Sequence, residues 1–94
     1  MTARLLTALL PDPEGMLSHL PHFEVARSAD ALEVLETPLL ADAWVVFHFP
    51  DTYRARKPKA VLYGRMWRFR ERGIDAMVRQ LASSRYVLVA RRFG

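Results

Sequence analysis

Residues 59–92 read KAVLYGRMWRFRERGIDAMVRQLASSRYVLVARR, and the architecture of the chain turns on how this stretch is divided. Lys59–Tyr63 is a short apolar run broken by Gly64, which predicts a strand. From Arg65 to Ser83 two periods compete. Alternation puts Trp67 and Phe69 on one side and Arg68, Arg70 and Arg72 on the other, but sets Glu71 among the aromatics. A helical period gathers Met66, Trp67, Phe69, Ile74, Met77, Val78 and Leu81 on one broad side, with Arg65, Arg68, Arg72 and Arg79 opposite. The helix explains more of the stretch. Arg70 intrudes on its apolar arc, and Gly73 weakens it by about 1 kcal/mol relative to alanine. Tyr86–Arg91 (YVLVAR) closes the chain as a strand. Strand, turn, helix and strand make a βαβ unit, whose parallel crossover is nearly always right-handed.

Upstream, Ala43–Phe49 (AWVVFHF) is the clearest strand, aromatic and β-branched and bounded by Pro50-Asp51. Residues 50–58 form a polar, basic loop. Ser28 is a good N-cap for a helix over Ala29–Glu36, which Thr37-Pro38 ends. His22–Ala26 alternates as a strand. Leu5–Leu10 is a further short apolar run, stopped by Pro11. Asp12 then caps a short helix from Pro13 to Leu20. The order β-α-β-α-β-β-α-β predicts one small α/β domain over residues 1–94, a sandwich with a mainly parallel sheet. The alternative is an α+β ferredoxin-like split βαβ arrangement.

The 94 residues are 51% hydrophobic and 26% charged, which argues against disorder and for one domain. There is no cysteine, hence no disulfide framework, thiol nucleophile or cysteine zinc site. The run Leu5–Leu10 is too short for a signal peptide, and no stretch reaches the ~20 apolar residues of a membrane span. These features predict a cytoplasmic protein without a membrane partner.

Charge is the most informative property. Residues 1–51 hold two basic and eight acidic residues, a net of −6, while residues 52–94 hold twelve basic and two acidic ones, a net of +10. Such asymmetry points to a basic interaction surface, unless folding interleaves the halves. The basic residues fall in two groups. Arg54, Arg56, Lys57 and Lys59 lie in a loop, and Arg65, Arg68, Arg72 and Arg79 line the expected helix face. Arginine grips phosphate and carboxylate bidentately, so loop and helix together could follow a phosphate backbone. The expected function is a non-enzymatic binding module on nucleic acid or a nucleoprotein complex. The alternative is a protein-interaction subunit or small inhibitor that meets an acidic protein patch or a second copy of itself.

Catalytic and metal signatures are weak, and no cofactor is expected. His19 and His22 are spaced like two ligands on a helical turn, but Pro21 separates them. Asp12 and Asp51 both follow expected strands and would hold Mg²⁺ only if the sheet brought them together. No serine lies in a G-x-S-x-G elbow. A third functional reading, a small enzyme, would use His48 and Asp51. Trp67, Phe69 and Met66 suggest a stacking platform, yet their phase with Ile74 and Leu81 predicts core packing, as the strand setting does for Trp44.

Overall fold

The computed structural model describes residues 4–6, 17–81 and 83–93. Five strands form one mixed sheet in the order β1-β2-β3-β5-β4: β1 is Arg4–Leu6, β2 His22–Glu24, β3 Val45–His48, β4 Asp75–Gln80 and β5 Tyr86–Arg91. Two helices complete the α/β domain, α1 at Ser28–Leu35 and α2 at Pro58–Glu71. Short 3-10 turns lie at Leu17–His19, Pro38–Leu40 and Pro50–Arg54. The helix expected over Pro13–Leu20 falls largely outside the described residues.

The mainly parallel sheet is not what forms. Only β2 and β3 run parallel, joined by α1; β1–β2, β3–β5 and β4–β5 are antiparallel. The cause lies after Gly73. The expected long helix stops at Glu71, and residues 75–80 turn into a strand that hairpins directly into β5, with Leu81 N–H donating to the Arg85 carbonyl at 2.8 Å. A connection that short can join only antiparallel strands. The split βαβ alternative fails as well, because the single strand β3 separates the two helices.

The expected strand Lys59–Tyr63 is the first half of α2. Pro58 stands at its first position, where a missing N–H costs nothing. Leu62, Met66 and Phe69, at i, i+4 and i+7, are its buried residues. Gly73 ends the helix rather than weakening it. At φ 78° it lets the Ile74 N–H reach the Phe69 carbonyl and its own N–H reach Arg70, each at 3.0 Å. Both bonds define a Schellman motif, and Ile74 and Phe69 share the core as its apolar contact.

Both helices cover the same sheet face. Val45, Phe47, Leu88, Ala90 and Ala76 pack there against Ala31, Val34 and Leu35 of α1 and Leu62, Met66 and Phe69 of α2. The opposite face carries Val46, Val87 and Val89, packed with Leu17, Leu81 and the partly buried Trp44 and Met77. Among the described residues, no helix is long and apolar enough to cross a membrane.

Candidate nucleic-acid interface

The fold sets six of the eight predicted basic residues at the two ends of α2, about 20 Å apart. Arg54, Arg56 and Lys57 lead into the N-terminus of α2, Lys59 sits in its first turn, and Arg68 and Arg72 lie one turn apart at its other end. All six are exposed. Among the described residues, Arg54, Arg56, Lys57, Lys59, Arg68 and Arg72 make no ion pair, and the Lys59 ammonium lies 5.8 Å from the Tyr63 ring centroid. The first turn of α2 contains no acid, and its N-cap position is Lys57, with no side-chain cap. Positive charge at a helix N-terminus opposes the macrodipole, at a cost of about 0.3–1 kcal/mol per charge.

Two predicted members are placed differently. The Arg65 guanidinium grips Asp51 bidentately, Nη1 to Oδ1 at 3.1 Å and Nη2 to Oδ2 at 2.5 Å, and lies 4.6 Å from the centroid of Phe49. The hydrogen bond from Arg65 holds the Asp51 carboxyl below the usual carboxylate range. Arg65 therefore fastens the 3-10 turn at Pro50–Arg54 to α2. Arg79 is not on a helix at all. It belongs to β4, where alternation sends it to the sheet face opposite α2, and its Nε donates to the Met77 sulfur at 3.2 Å.

The aromatic residues also divide. Phe69 and Met66 are buried as expected, but Trp67 is 56% and Tyr63 40% exposed. Lys59, Tyr63, Trp67 and Arg70 form a stripe along one flank of α2, with spacings of four, four and three residues. Arg70 is anchored by Nε donating to the Ala76 carbonyl at 3.0 Å, and its guanidinium stands 5.0 Å from the Trp67 centroid. Sequence reasoning missed Tyr63, Trp67 and Arg70 as surface residues. The available signal was Pro58: a helix starting there sets its core phase on Leu62, Met66 and Phe69 and leaves Trp67 outside. Two cavities of about 340 and 350 Å³ flank the end of α2 and share Gly73 and Ile74. Arg72 and Arg92 line the first, Arg70 and Trp44 the second.

The histidines are arranged for structure. His22 and His48 sit on neighbouring parallel strands and are both 1% exposed. His22 Nε2 lies 2.6 Å from the Leu17 carbonyl, which can only accept, so this nitrogen carries the proton. His22 Nδ1 then accepts from His48 Nε2 at 2.9 Å. Burial, with the neighbouring His22 as the next cause, pushes His48 down to about 4. His48 is thus bonded to His22 and Asp51 to Arg65. His19 is exposed while His22 points inward. Asp12 lies outside the described residues, and among those described no three His, Asp or Glu side chains are grouped to hold a metal. No protein family, curated protein or solved structure matches this chain.

Proposed function

We propose that the protein binds nucleic acid through the outer surface of α2 and the basic segment leading into it. The observation that carries this reading is the group of five exposed cations, Arg54, Arg56, Lys57, Arg68 and Arg72, without an anionic partner among the described residues. Folding alone would favour acids at the start of α2, where Lys57 and Lys59 stand instead. A polyanion would turn that local cost into binding energy. Contacts of this kind grip phosphates and carry no sequence information, so affinity should be broad and strongly salt-dependent.

The test is the salt dependence of oligonucleotide binding, read by fluorescence anisotropy. Five phosphate contacts predict a slope of log K against log salt between about −3.5 for a single strand and −4.5 for a duplex. Replacing Arg68 and Arg72 together by alanine should flatten it by about 2. A folded double variant with an unchanged slope would remove these residues from the site. Absence of binding at low salt would overturn the reading and leave an acidic protein or a second copy of the chain as the partner to pursue.

A further inference from the structure

We infer that the bound nucleic acid is single-stranded and that its bases stack on Tyr63 and Trp67. This rests on the phosphate-binding reading above and adds which strand form is recognised. Three observations point to it.

First, Trp67 and Tyr63 are large rings left 56% and 40% exposed on a helix whose core contacts are made by Leu62, Met66 and Phe69. Their exposure is not needed to fold α2. Aromatic rings beside a basic track are the elements of a stacking platform, which accepts any base because every base has a π-face.

Second, the spacing suits a splayed strand. Tyr63 and Trp67 are four residues apart, an advance of about 6 Å along the helix axis. Successive bases within a duplex lie about 3.4 Å apart and have no free faces, so they cannot serve two rings at this separation. A single strand can unstack and present its bases one at a time.

Third, cations bracket the rings. Lys59 lies 5.8 Å from the Tyr63 centroid, and Arg70, held at its place by the Ala76 carbonyl, 5.0 Å from that of Trp67. Arg68 follows Trp67 at the same end of the helix, about 100° further round its axis.

The experiment compares labelled oligothymidine, oligouridine and a DNA duplex of equal length, binding to the full chain and to Tyr63→Ala, Trp67→Ala and Trp67→Phe. Stacking predicts single strands bound at least ten-fold tighter than duplex. Each alanine variant should weaken single-strand binding by about five-fold to a hundred-fold, with duplex binding unchanged. Trp67→Phe should restore most of the loss. Tryptophan fluorescence of the native chain should be quenched by oligothymidine, and Trp67→Phe should remove that response. Equal binding of duplex and single strands, with both alanine variants neutral, would overturn the stacking inference while leaving the phosphate contacts standing. No binding to any of the three would overturn both.

Discussion

Lowering the pH from 7.5 to 5 should remove about 2 kcal/mol of folding stability through His48 alone. The residue is 1% exposed, and its neutral form is the one the fold accepts. Burial, then the adjacent His22, lowers its pKa from 6.5 to about 4, and Arg85 adds to this while Glu24 opposes it. Between those two values the unfolded chain binds a proton at this position that the folded chain refuses. The contribution is therefore complete above about pH 6.5 and fades as the pH falls toward 4. The full gap corresponds to about 3 kcal/mol, of which about 2 is gone by pH 5. A domain of this size has a total stability of about 5–14 kcal/mol, so the loss is easily measured. Urea unfolding followed by circular dichroism at pH 7.5, 6.5, 5.5 and 5 would supply the values. The internal control is His48→Gln, whose amide can still donate to His22 Nδ1 but does not titrate. Its stability should vary less with pH than that of the native chain by about the same 2 kcal/mol. Parallel profiles for the two proteins would refute the argument.

His48→Leu deprives buried His22 Nδ1 of its donor and should cost roughly 1–3 kcal/mol at neutral pH, seen as a lower urea midpoint. Gly64 within α2 and Gly73 just past its end should respond oppositely. A Cβ at Gly64 meets nothing within 4 Å, so Gly64→Ala should stabilise by about 0.5–1 kcal/mol. Gly73→Ala, at φ 78°, should destabilise by about 1–2 kcal/mol. Asp51→Asn should change thermal stability by less than about 1 kcal/mol, because the pair with Arg65 is partly exposed. It should also release Arg65, steepening the salt dependence of oligonucleotide binding by about 1.

Strands β3 and β5 and helix α1 were legible in the sequence because each has a single dominant pattern. AWVVFHF is too β-branched and aromatic to be mistaken, and YVLVAR gave β5 its observed bounds. Residues 59–81 were not legible because two answers share the same apolar residues. Ile74, Met77, Val78 and Leu81 fit a helical arc, yet in the fold Ala76 and Met77 face opposite sides of β4. Gly73 decides between the answers, and its role depends on a left-handed backbone that composition does not show. The error carried into the site. A helix extended through residue 81 takes in Arg79 and shifts the apolar arc onto Trp67, whereas the helix that forms centres its core side on Leu62, Met66 and Phe69. The Arg65–Asp51 pair and the His22–His48 bond join residues 14 and 26 positions apart, a tertiary closeness that local patterns do not encode.

The division of labour within α2 is what makes the functional reading separable from folding. One side of the helix supplies three core residues, and its end is closed by Gly73 and Ile74. Arg65 and Arg70 are spent locally, on Asp51 and on the Ala76 carbonyl. What remains outward, Lys59, Tyr63, Trp67, Arg68 and Arg72, contributes little to the fold that its removal would damage. Exposed positions of this kind usually change stability by no more than about 0.5 kcal/mol. If the outer residues were only solvated surface, their replacement would be silent in binding and in unfolding alike. If they form the interface, binding falls while unfolding stays level, and that dissociation of the two measurements distinguishes a docking face from an ordinary helix exterior.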